Sequence, residues 1–91
     1  TMVYFYDDVE TRKRFADYLK QKRKLAKLSR EQLAEKALVP ASTIRRFETT
    51  GHISFKQFLA LWLVLDDMGR LVALTQNTPT MPKTINEVLR G

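Results

Sequence analysis

Two helix starts fix the middle of this 91-residue chain. Ser29 is followed three residues later by Gln32, and Ser54 by Gln57. Each pair predicts a capping box, in which the hydroxyl takes an orphan amide of the first turn while the Gln reaches back. Both starts also carry a hydrophobic staple: Leu28 precedes Ser29 with Leu33 inside the helix, and Ile53 precedes Ser54 with Phe58 inside. Box and staple together in two consecutive segments predict short helices with defined entry angles. A third box, Thr84 with Glu87, falls near the end of the sequence.

The apolar spacing fills in the rest. Residues 9–24 predict a first helix, with Phe15, Ala16, Leu19 and Ala26 on one face and Arg12, Lys13, Arg14, Lys20, Lys22 and Lys24 on the other. A second helix over 30–37 turns Leu33, Ala34 and Ala37 inward. The turn is Leu38-Val39-Pro40, and Pro40 suits the start of a third helix because its missing amide would be unpaired there anyway. That helix runs to about residue 49, with Ile44 and Phe47 inward and Gly51 as a left-handed stop. A fourth, over 55–67, leaves almost no polar face in its middle. A surface helix of a small monomer should show a polar stripe. Part of Leu61, Trp62, Leu65, Met68, Leu71, Val72 and Leu74 is therefore expected to meet a second protein surface, most simply another copy. Residues 69–75 predict a short fifth helix.

The organisation expected is one domain over residues 1–75, with an N-terminal arm over 1–8, and a Pro-containing linker and short amphipathic tail over 76–91. The arm carries Val3, Tyr4, Phe5 and Tyr6 in a row. It reads as an apolar strap on the core, or else as an arm pairing with a second copy. The tail, with Ile85, Val88 and Leu89 as its stripe, either folds back or docks on a partner.

Composition narrows the function. There are no cysteines, so neither a disulfide framework nor a thiolate metal site is expected. The longest apolar run is about eight residues, against roughly 20 for a membrane span, so no membrane contact and a cytoplasmic location are expected. The net charge is +6, placed unevenly: residues 1–50 hold 12 Lys/Arg against 7 Asp/Glu, and residues 51–91 hold 4 against 3. A basic N-terminal half points to a polyanionic partner, although a solvated helix face has the same composition. His52 is the only histidine, the three glycines are isolated, and Asp7-Asp8 and Asp66-Asp67 are adjacent pairs that would not face each other on a helix. No catalytic group, metal or cofactor is expected.

Helices separated by about three residues, as either side of Leu38-Val39-Pro40, predict a helix-turn-helix, whose second helix enters the major groove by its N-terminal end. The outward positions there are Ala41, Ser42, Thr43, Arg45 and Arg46. Arginine can grip guanine O6 and N7 with two hydrogen bonds, and small residues let the helix sit deep. Arg30, at the start of the second helix, and Lys56, at the start of the fourth, are placed to bind phosphates.

The segment LSREQLAEKALVPASTIRRFE resembles the XRE family of phage-repressor and Cro-like domains, typically LSQEELAEKAGVSRSTISRIE. The resemblance covers about residues 12–66. It implies an all-α, five-helix, lambda-repressor-like DNA-binding domain, here with an extended C-terminal tail. It also implies base contacts from Ala41, Ser42 and Arg46, phosphate contacts from Arg30, Thr43 and Arg45, and a structural salt bridge between Arg23 and Glu48. There are two departures. Leu38 stands where the family has its turn glycine, and the glycine expected two residues after the Glu is displaced to Gly51.

The remainder, FETTGHISFKQFLALWLVLDDMGRLVALTQNTPTMPKTINEVL, is similar to HipB-like regulators. That resemblance implies a homodimeric repressor of a palindromic operator that is also an antitoxin and binds a HipA-type serine/threonine kinase toxin. A stand-alone XRE-type regulator, or a protein-interaction module without operator binding, are the alternatives.

Overall fold

The structure is a computed structural model, described here for residues 6–76. Five helices follow in order: α1 Asp8–Leu25, α2 Arg30–Ala37, α3 Ala41–Thr50, α4 Phe55–Leu65 and α5 Met68–Gln76. No strand occurs among the described residues.

Local chemistry explains most of the boundaries. Asp7 caps α1 by accepting the Glu10 amide at 2.8 Å, so the helix starts inside the expected arm. The box at α2 is complete: Ser29 Oγ accepts the Gln32 amide at 3.0 Å, and Gln32 Oε1 accepts the Ser29 amide at 2.8 Å. At α4 the box is half made. Ser54 Oγ accepts the Gln57 amide at 3.1 Å, but the Gln57 side chain meets the Ser54 hydroxyl and not its amide. Helix α3 has Pro40 as its cap residue and no side-chain cap, the exception among the first four helices. Leu38 ends α2 in the left-handed region, at φ 58° and ψ 41°. Gly51 ends α3 with φ 83°. A Cβ there would also lie 2.9 Å from Arg12 Cβ, so only glycine allows α3 to end this close to α1.

The core is Ala16, Leu19, Leu33, Ala37, Val39, Ile44, Phe47, Leu61 and Trp62, all buried. It gathers one face from each of α1–α4. Burying each large member contributes about 1.5–3 kcal/mol. Aromatic rings pack over it: Phe15 meets Phe58 edge-on at 5.4 Å, and Tyr18 stacks on Trp62 at 5.6 Å.

Four expectations change. Leu61 and Trp62 were expected at a surface between proteins; they are 1% and 5% exposed and belong to the chain's own core. The α1 and α2 faces enclose that side of α4, so its apolar excess is only partly surplus. Ala26 is exposed, because α1 ends at Leu25 and the chain turns away. Helix α4 stops at Leu65 and not at residue 67, because Asp66 is extended and its side chain turns toward α1. Helix α5 is longer than expected, from Met68 to Gln76. The apolar arm residues Val3, Tyr4 and Phe5, the Thr84 box and the tail beyond Gln76 lie outside the described residues.

The α1–α5 junction is held by polar contacts. The Tyr18 hydroxyl donates to Asp66, Arg70 Nη1 donates to both Asp66 oxygens at 3.0 Å and to the Tyr18 oxygen at 2.9 Å, and Trp62 Nε1 donates to the Asp67 carbonyl at 2.9 Å. The Tyr18 hydroxyl, with the Asp67 amide and Arg70, lowers the Asp66 pKa below its ordinary value, against a smaller opposing effect of desolvation.

Candidate nucleic-acid interface

The outer face of α3 is the most distinctive surface of the domain. Ile44, Phe47 and Glu48 anchor the helix inward. The remaining positions, Ala41, Ser42, Arg45, Arg46, Thr49 and Thr50, line one shallow hollow on the other side. Ser42, Arg45 and Arg46 are exposed, and Ala41 and Thr43 are half-buried. Neither Arg45 nor Arg46 has an acidic partner among the described residues. Two guanidinium groups thus stand on one helix with no acidic side chain among the described residues to neutralise them.

Thr49 and Thr50 extend this face beyond the residues singled out from the sequence. Their hydroxyls donate to the carbonyls one turn back, Thr49 to Arg45 at 2.9 Å and Thr50 to Arg46 at 2.7 Å. The signal was available, since 42, 45, 46 and 49 recur at helical spacing.

The other arginines have different work. Glu48 is buried and receives three hydrogen bonds: from Arg23 Nε at 2.7 Å, from Arg23 Nη2 at 3.1 Å and from Arg30 Nε at 2.9 Å. Arg23 Nη1 also donates to the Leu28 carbonyl at 2.9 Å. One carboxylate on α3 therefore ties α1 and α2 together. The Arg23–Glu48 pair is scaffold. Arg30 shares that role, and its side chain is about one-third exposed (31%), so its guanidinium faces solvent only in part. Lys56 is exposed on the first turn of α4, with no acidic partner among the described residues. Ser54 already caps that helix. Of the expected contact residues, Ala41, Ser42, Arg45 and Arg46 line the α3 hollow, whereas Arg30, Thr43 and Lys56 do not.

A capped α2, a short turn and an uncapped α3 with a free basic face are the parts of a DNA-reading motif. Residues 19–61 match the model of the helix-turn-helix family. The matched segment is similar to helix-turn-helix domains and spans a little under half of the chain. No curated protein and no solved structure matches the chain. The matched residues run from the C-terminal part of α1 to Leu61 in α4, so they contain the Glu48 tie and the whole outer face of α3. Helix-turn-helix domains are DNA-binding regulatory modules and not catalytic ones. No helix among the described residues is long and apolar enough to cross a membrane.

Proposed function

We infer that this helix-turn-helix protein is a sequence-specific transcriptional repressor acting in the cytoplasm as a homodimer on a palindromic operator. The observation that supports this reading is the outer face of α3, whose Arg45 and Arg46 side chains have no acidic partner among the described residues. Ala41, Ser42 and Arg46 contact base edges, and Arg45, Thr43, Lys56 and the exposed part of Arg30 contact phosphates. Two such domains related by a twofold axis place their α3 helices in successive major grooves, about 34 Å apart. The dimer or partner face is drawn from Leu65, Met68, Leu71 and Val72, joined by Leu63 and Leu74, which are 64% and 69% exposed.

The narrower reading is a HipB-like antitoxin that represses its own operon and binds a HipA-type serine/threonine kinase. It rests on the resemblance of the sequence from Phe47 onward. Co-purification with a kinase encoded beside it supports this. Full operator binding with no such gene beside it leaves a stand-alone regulator.

Fluorescence anisotropy with the duplex upstream of the gene, against a scrambled duplex, tests DNA reading. A preference of roughly a thousandfold is expected. Arg46→Ala should cost about 1–3 kcal/mol on the operator and relax the preference at one base pair. Equal binding of both duplexes, lost steeply with salt, would reduce α3 to a basic surface without readout.

A further inference from the structure

Three charges meet where α1, α2 and α3 converge, and they do not cancel. Glu48 is buried and both its oxygens are taken, Oε2 by Arg23 Nε, and Oε1 by Arg23 Nη2 and Arg30 Nε. One carboxylate thus serves two guanidinium groups, and the cluster keeps one positive charge. The two arginines differ in what they have left. Arg23 is buried and also gives Nη1 to the Leu28 carbonyl. Arg30 gives only Nε, at 2.9 Å, and its terminal nitrogens bond no described residue. The surplus charge therefore stands on the outer edge of Arg30. Because the guanidinium is planar, a bond at Nε also restricts the direction of the edge that carries the two terminal nitrogens. Lys56, the other cation at a helix start, has no acidic partner of this kind among the described residues.

We propose that Glu48, itself too buried to touch DNA, is a positioning residue: it holds Arg30 with its terminal nitrogens turned out for one backbone phosphate of a bound duplex. The inference rests on the DNA-reading function proposed above, and adds which phosphate contact is prepared in advance and by what. Two parallel N–H groups on that edge match two phosphate oxygens. A long side chain that is already held loses less freedom when it binds. The same carboxylate belongs to α3, the helix proposed to read bases. A shift of α3 therefore moves Arg30 as well, so the phosphate grip and the base-reading face keep one register.

The test exchanges Arg30 for lysine in two settings and reads binding to the duplex upstream of the gene by fluorescence anisotropy over a salt series. Lysine keeps the charge, but it cannot hold Glu48 by one nitrogen and offer a fixed edge outward. In the parent, Arg30→Lys should weaken binding by roughly three- to tenfold. The salt slope should stay the same, because no phosphate contact loses its cation. The second setting carries Arg23→Met with Glu48→Leu, which removes the carboxylate without altering the net charge. There the same exchange should weaken binding markedly less. An equal loss in both settings would overturn the proposal and leave Glu48 as scaffold alone. A second measurement leaves the scaffold unaltered: in nitrogen NMR spectra of the parent, the Arg30 Nε–H signal should hold its place as duplex is added while the terminal nitrogens shift. An Nε–H that leaves Glu48 on binding would overturn the proposal. If the parent prefers its operator and Arg30→Lys binds equally well, this proposal alone fails. If the parent shows no preference for that duplex, the DNA-reading function fails and takes this proposal with it.

Discussion

Replacing Leu38 with glycine should stabilise this protein. Leu38 sits at φ 58° and ψ 41°, a conformation that costs a non-glycine residue about 1–2 kcal/mol. The side chain returns little of that, because it is 89% exposed. Glycine removes the strain but gives the unfolded chain more freedom, which offsets about 0.4–1 kcal/mol. The net gain is about 0.5–1 kcal/mol. For a domain of this size, each kcal/mol moves Tm by roughly 4–8 °C, so Leu38→Gly should melt about 2–8 °C higher. Thermal unfolding followed by far-UV circular dichroism, at two protein concentrations, measures this free of any change in association. Leu38→Ala is the control, since it removes the exposed side chain and keeps the strained backbone. It should melt close to the parent. A glycine variant no more stable than the alanine variant would refute the strain argument. A glycine variant less stable than both would mean that the Leu38 side chain holds something in the folded state.

Two further outcomes follow from the buried polar groups. Glu48→Ala leaves Arg23, 8% exposed, without its counter-charge, and should cost about 3–5 kcal/mol in urea unfolding; the pair Arg23→Met with Glu48→Leu should recover much of that loss, and equal damage from the pair would locate the cost elsewhere. Asp66 has a pKa below its ordinary value, so its contribution is fully present above the usual carboxylate range and is lost as pH falls through the lowered folded value; Asp66→Asn should flatten the acid limb of the stability–pH curve below about pH 4, and an unchanged limb would remove Asp66 from acid unfolding.

What was legible in the sequence was whatever depends on short range. The Ser29–Gln32 box, the left-handed stop at Gly51 and the inward set Leu33, Ile44 and Phe47 are all set by neighbours within a turn or two. The bounds of α2 follow from them. Leu38 was recognisable as a strained turn residue because it stands where the XRE pattern that the segment resembles has its turn glycine. Lys27, which also has φ 58°, was not, since nothing in its side chain marks it. The burial of Leu61 and Trp62 depends on how far α1 and α2 wrap around α4, which no local pattern states. The Tyr18–Asp66–Arg70 contact joins residues 48 and 52 positions apart. Only the Asp66–Arg70 step within it has helical spacing. At the interface, Arg30 illustrates the same limit. Its place at a helix start was clear, but its bond to Glu48 depends on the docking of α3.

The hydroxyls of Thr49 and Thr50 are satisfied within their own helix, and the side chains of Ser42, Arg45 and Arg46 hold no other described residue in place. Every residue that keeps α3 seated points the other way. On the proposed reading, scaffold and address are therefore written on different letters of the same ten-residue helix. A lineage, or an engineer, could then rewrite the outward letters one at a time and redirect the protein to a new target. The domain that carries them need not be rebuilt at each step.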